Sequence, residues 1–170
     1  VMDLLNALEA ECVCAGRNIA DKAATLAEIA RLAKRHPALR DFDEAAIDAA
    51  LTAREALGST GFTRGIALPH CRLPGFDTFV AGLLTVPDGV AFKSLDGRKT
   101  RLFVFVIAPE EERFEEHNRV LGDIAEIVQD PEAVAELLRE TTDAGLYACF
   151  RRKAVALVQR AGHDAAKGAR

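Results

Sequence analysis

No apolar run in this 170-residue sequence is long enough to cross a bilayer; the longest are strand-sized and broken by charge or proline, so no membrane span is expected. Cysteine is sparse. Its four copies, Cys12, Cys14, Cys71 and Cys149, lack the spacing of a disulfide framework or a zinc site, which fits a reducing, cytosolic setting. Val1-Met2-Asp3 carries no basic flank, which argues against a secretory signal. Internal repeats and low-complexity tracts are missing as well. So is an overall basic charge: the net charge is −4, and an acidic body argues against nonspecific nucleic-acid binding, which rests on neutralising phosphates. That charge is uneven. Arg151, Arg152, Lys153, Arg160, Lys167 and Arg170 face a single acid, Asp164, so the last twenty residues carry +5 and the preceding 150 carry −9. The basic end is expected to be a solvated helix end, with contact to an acidic partner as the alternative.

What is present is 49% hydrophobic residue and 28% charge, enough for an ordinary core in one domain, taken as residues 1–150 with a basic end at 151–170. Helical and strand patterns alternate. Residues 2–9 read as a short helix and Cys12-Val13-Cys14 as a short strand. Asp21 can cap a helix to about Arg35, with Ile19, Ala23, Leu26, Ala30 and Ala33 on one stripe, and Pro37 ends it. His36, in its last turn, is expected at the surface, where a partly positive imidazole suits the helix dipole. Asp43 can cap a second helix ending near Leu57. Residues 66–68, 79–86 and 102–108 read as strands, with turns at Pro87-Asp88-Gly89 and 96–99. The third, Leu-Phe-Val-Phe-Val-Ile-Ala, is apolar on both faces, as a central strand covered by helices on both sides would be. Helices are expected over 115–129, from Pro131 to about Arg139, and over 144–159. The class is α/β: a mixed sheet flanked by helices.

Polar residues interrupt this pattern where a plain core would not have them. Arg54 lies on the inward stripe of Ile47, Ala50 and Leu51. His117 shares a face with Val120, Leu121, Ile124 and Val128. His70 follows a Leu-Pro step at the end of a strand, where a stiffened approach can hold a side chain out for chemistry. Ser59 and Thr60 lie on a glycine-rich turn between Arg54 and His70. A neutral imidazole is a nucleophile, and a guanidinium, hydroxyls and backbone amides are the donors that a phosphoryl adduct on it would need. Other chemistries fit less well. Cys71 cannot pair with His70, because adjacent side chains on an extended segment diverge. Cys12-Val13-Cys14 lacks the gap of a redox or zinc motif, and residues 58–65 lack the ending of a nucleotide P-loop. Two inward histidines could ligate a metal, but no third ligand has evident spacing; neither a metal nor a cofactor is expected.

The run Arg54-Glu55, Gly58-Ser59-Thr60-Gly61 and Gly65-Ile66-Ala67-Leu68-Pro69-His70 resembles the type-2 enzyme IIA domains of the sugar phosphotransferase system, the fructose/mannitol/nitrogen-regulatory class. The likeness continues through Gly89-Val90-Ala91-Phe92, the strand at 102–107, Ala108-Pro109 and His117, spanning roughly residues 3–150. The resemblance implies an α+β sandwich of the phosphotransferase/anion-transport kind, with a mixed, mostly five-stranded sheet between helices. It implies that His70 takes a phosphoryl group on Nε2 from the carrier HPr, that Arg54 and His117 line its pocket, and that Ser59 and Thr60 match the hydroxyl-bearing turn. It implies a cytoplasmic phosphoryl carrier whose acceptor is a IIB domain or a regulatory target.

Cys71, Arg64 and Asn118 depart from the family pattern, and Arg64 and Arg72 are expected to add positive charge near His70. The regulatory role is the preferred reading and sugar uptake through IIB its alternative. A docking module that carries no phosphate and a metal-dependent hydrolase are the readings from other classes.

Overall fold

The computed structural model describes residues 2–111 and 114–168. Its centre is a mixed five-stranded sheet of β1 (Leu8–Cys14), β2 (Ile66–Ala67), β3 (His70–Leu73), β4 (Val80–Val90) and β5 (Thr100–Pro109). β4 and β5 pair antiparallel; β1 runs parallel to the other side of β4, and β2 and β3 both run parallel to β5. Helices α1 (Met2–Ala7), α4 (Phe114–Gln129), α5 (Pro131–Arg139) and α6 (Asp143–Gly168) cover one face, and α2 (Lys22–Ala33) and α3 (Glu44–Ala56) the other. β5 shows why a strand can be apolar throughout. Leu102, Val104, Val106 and Ala108 enter the core under α4–α6, while Phe103, Phe105 and Ile107 enter the core under α2 and α3. Asp21, Asp43 and Asp130 cap α2, α3 and α5 by accepting from the amides of Ala24, Ala45 and Glu132. Among the described residues no helix is long and apolar enough to cross a membrane.

Four local expectations need correction. The first helix stops at Ala7, not Glu9, because Leu8 already pairs with Ala81 and opens a strand reaching back from Cys14. Pro87-Asp88-Gly89 is not the turn; β4 continues to Val90, with its register to β5 broken between Thr85 and Val90. A proline can sit in a strand at such a break, where no ladder amide is required. His36 is not at the surface. It is buried, its Nδ1 accepts from the Ala38 amide to cap a short 3₁₀ turn (Pro37–Leu39), and burial lowers its pKa below the ordinary value. The last helix runs on to Gly168, well past Gln159. The Lys167 side chain, Arg170 and Val1 lie outside the described residues.

Candidate functional site

The site grows from a defect in the edge of the sheet. β2 and β3 follow β5 in one unbroken register, Ile66 opposite Leu102 and His70 opposite Val106, yet pairing lapses at Leu68-Pro69. Pro69 has no amide hydrogen to give, while its carbonyl still accepts from Val106 at 3.0 Å. The Leu68 amide turns away to the Thr60 carbonyl at 3.0 Å, and the Leu68 carbonyl meets His70 Nδ1 at 2.8 Å. His70 is therefore the first residue of β3 and not a loop residue beyond a strand end. Because a carbonyl only accepts, Nδ1 carries the proton and Nε2 the lone pair. Onto Nε2 the Arg54 Nε–H donates at 3.1 Å. Burial holds the pKa of the His70 ring below its ordinary value, the Leu68 carbonyl opposes this, and the Arg54 cation reinforces it. The group at the site is a neutral imidazole with its nucleophilic nitrogen facing a guanidinium.

Arg54 comes from the last turn of α3, on the half-buried side of the stripe that buries Ile47 and Leu51. Its Nη1 donates to the Gly58 carbonyl at 3.0 Å, just past the helix end. His117 comes from the first turn of α4, on the face that also buries Val120 and Ile124. Its ring centroid lies 5.6 Å from that of His70, and its Nδ1 has no hydrogen-bond partner. Burial pushes its pKa down to about 4, helped by a protonated His70 ring and by the positive fields of Arg72 and Arg54, so it is neutral at pH 7. Cys71 points to the opposite core, and burial pushes its thiol up to about 12, well away from any role as a thiolate.

Arg54, His70, Ser59 and Thr60 line one cavity of about 320 Å³, with Phe62 and Leu95 among its apolar walls. The hydroxyls are engaged. Ser59 Oγ donates to the Phe92 carbonyl at 2.9 Å and accepts from the Gly61 amide at 3.1 Å, and Thr60 Oγ1 donates to Glu55 Oε2 at 2.6 Å. Of the two arginines expected to add charge, Arg72 stands close enough to act on His117. Arg64 is elsewhere; its guanidinium donates to the Gln129 carbonyl at the C-terminal end of α4, where the helix dipole favours a cation. Among the described residues no group of three or more His, Cys, Asp or Glu could hold a metal.

Two residues with no sequence-based role belong to the site. Glu55 is buried behind Thr60, and Lys22, at the start of α2, makes a 2.9 Å ion pair with it. The acid beside Arg54 was visible in the motif. Its cation was not, since the two lie on different helices and meet only through the fold.

The family of the phosphoenolpyruvate-dependent sugar phosphotransferase system, EIIA 2, matches residues 6–153. The chain is 38% identical to the nitrogen regulatory protein of Pseudomonas aeruginosa over 126 residues, 74% of this chain and 80% of that one. Among solved structures it is similar to the nitrogen regulatory protein IIA-Ntr from Neisseria meningitidis, with a TM-score of 0.78 at 24% identity, covering 86% of this chain and 97% of that one. IIA mannitol from Escherichia coli is similar in fold, with a TM-score of 0.67 at 19% identity over 83% of this chain and 96% of that one.

Proposed function

This chain belongs to the EIIA 2 family of the phosphoenolpyruvate-dependent sugar phosphotransferase system, a family of phosphoryl carriers, and from that membership we propose that His70 is its phosphoryl-carrying residue. The observation that supports this most is the pair of bonds on the ring: Nδ1–H held by the Leu68 carbonyl, Nε2 facing Arg54. In the proposed step the bond between phosphorus and nitrogen on a donor phosphohistidine breaks while a bond to His70 Nε2 forms. The Nδ1 proton stays in place, so no base is required. The Arg54 N–H that caps the lone pair then turns to a phosphoryl oxygen, a charge-assisted bond stronger than the one it leaves. His117, neutral and packed against the His70 ring, offers a hydrogen bond or holds the ring. Ser59 completes the phosphoryl-binding set by releasing Phe92, and Thr60 serves it through its bond to Glu55.

The donor in this reading is an HPr-type carrier, and the family's partners are phosphocarrier proteins and IIB domains. Leu57 at the end of α3, Phe62 and Leu95 on the cavity wall and Phe114 beside Arg72 are large exposed hydrophobics around the site, as a protein-docking face would have. We favour a regulatory role, in which partners are controlled by phosphorylation state, on the similarity to nitrogen regulatory proteins. The similarity to IIA mannitol keeps passage of the phosphoryl group to IIB in sugar uptake as the second reading. A cytoplasmic location and the division into a domain of residues 1–150 and a basic helical end at 151–170 belong to the same proposal; α6 crosses that boundary without a break.

Incubation with phosphoenolpyruvate, enzyme I and HPr, followed by intact-mass analysis, tests the carrier. One acid-labile phosphoryl adduct is expected on the wild type and none on His70→Ala. An unmodified wild type beside phosphorylated HPr, and beside any cognate carrier, would leave the docking-module reading.

A further inference from the structure

The carrier scheme gives no direct task to the most heavily bonded side chain near His70. Glu55 is 7% exposed, and both of its oxygens are occupied. Oε1 accepts from the Thr60 amide at 2.7 Å and from Lys22 Nζ at 2.9 Å, and Oε2 accepts from the Thr60 hydroxyl at 2.6 Å. Lys22 is itself anchored, its ammonium 4.6 Å from the centre of the Phe92 ring and 3.4 Å from the Phe92 carbonyl. Burying an ion pair gains little stability over an apolar pair of the same volume, so its presence here points to geometry.

The bonds lead to both reacting partners. Glu55 locks the Gly58-Ser59-Thr60 turn through Thr60. At one end of that turn the Gly58 carbonyl receives Arg54 Nη1 at 3.0 Å. At the other the Thr60 carbonyl receives the Leu68 amide at 3.0 Å, and the carbonyl of that same leucine receives His70 Nδ1–H at 2.8 Å. Each step between residues is a hydrogen bond or an ion pair, joined through the backbones of Thr60 and Leu68, and the path runs from α2 to the imidazole.

Resting on the carrier reading, we propose that Lys22, Glu55 and Thr60 are positioning residues that hold His70 in its Nδ1–H tautomer and aim both Nε2 and Arg54 at one phosphoryl seat. An imidazole without such a partner exchanges between two tautomers, and the one protonated on Nε2 has no lone pair with which to attack there. If the turn loosens, the Leu68 carbonyl drifts and the reactive tautomer is lost, with the catalytic side chains themselves unchanged.

Glu55→Gln and Lys22→Met are to be compared with wild type, with Lys22→Arg as the conservative replacement. Glu28→Gln is the control, at an ion pair of α2 with Arg17 and Arg31 that does not touch the site. Imidazole ¹⁵N shifts report the His70 tautomer, and initial rates of phosphoryl loading from HPr report competence. Wild type, Lys22→Arg and Glu28→Gln are expected to show the Nδ1–H form and equal rates. Folded Glu55→Gln and Lys22→Met are expected to show mixed tautomers and rates lowered roughly 10- to 100-fold, the scale of a small misplacement. Either variant, folded, with the wild-type tautomer and rate would overturn the proposal, and Lys22→Met decides it should Glu55→Gln fail to fold. A wild type that takes no phosphoryl group sinks the carrier reading instead, and the tautomer comparison then judges the positioning network by itself.

Discussion

Arg54 serves two acceptors from two different nitrogens of one rigid group. Its Nε donates to His70 Nε2 while its Nη1 donates to the Gly58 carbonyl, so the planar fork spans ring and turn at once. An ammonium at the same position would keep the charge but would have to reach both acceptors from a single nitrogen, without the fixed fork. Phosphoryl loading of Arg54→Lys is therefore expected to fall by roughly 100-fold, the usual cost of removing one oriented donor from a developing oxyanion. The same assay on Arg54→Ala should give a larger loss; a wild-type rate in Arg54→Ala would remove Arg54 from the scheme. Arg54 and His117 stood out in the sequence because each interrupts an apolar stripe, and His70 because it follows a Leu-Pro step; that they share one pocket was only implied by the family resemblance, and the fold brings their side chains together. The tautomer of His70 was not legible there, because it depends on where one backbone carbonyl lies in space.

At the scale of the element, the sheet explains both the site and a vulnerable point. Pro69 interrupts β2 and β3 without changing their register, and that lapse frees the Leu68 carbonyl for His70. In the centre, Gly82 on β4 lies between β1 and β5, and a Cβ there would collide with the Cys12 carbonyl and the Phe105 ring. Gly82→Ala is therefore expected to destabilise the protein by about 1–3 kcal/mol, as overpacking does in a dense core. It should appear as a lower urea midpoint at an unchanged slope; an unchanged midpoint would mean that the sheet can open there at no cost. The central strand at 102–108 and the capped helices could be read from pattern. The start of β1 could not, since it is decided by pairing with β4, distant in sequence, and the passage of β4 through Pro87 could not, since it shows only where pairing with β5 resumes at Val90 beyond the register break.

For the molecule as a whole, burial of titratable groups sets the pH range in which the fold is stable. His36, His70 and His117 all have folded pKa values below the ordinary 6.5, chiefly through burial, with His117 at about 4. The unfolded chain takes up these protons first, so the stability they contribute is complete above pH 6.5 and is lost as pH falls toward the folded values. Glu55 adds to the loss. Burial alone would raise its pKa, but the bonds from Thr60 and Lys22 outweigh that and hold it below the ordinary 4.5. At the other end Cys12 and Cys71, pushed from 9 up to about 12 by burial, make stability fall as pH rises above 9. Denaturation midpoints measured from pH 4.5 to 10 should describe a plateau with two falling limbs. The acid limb should steepen by on the order of 1 kcal/mol per pH unit for each extra proton the unfolded chain binds, and His117→Asn should flatten it. A profile flat from pH 7 to 4.5 would mean that these histidines are not held neutral in the fold.

What the sequence by itself determined is local and periodic. The Asp caps, the doubly apolar β5, the amphipathic helices and the order of the Arg-Glu, Ser-Thr-Gly and Ala-Leu-Pro-His elements all follow from residues close together in the chain. Only the tertiary structure decided which carboxylate Lys22 would meet, that His36 would be buried, that Arg64 would leave the site for the end of α4, and which nitrogen of His70 would carry the proton. The first three depend on groups brought together from separate elements, and the last on the Thr60 carbonyl and Arg54 fixing the Leu68–His70 step from outside it. Spacing along one segment carries no record of such meetings, because they exist only once both faces of the sheet are covered.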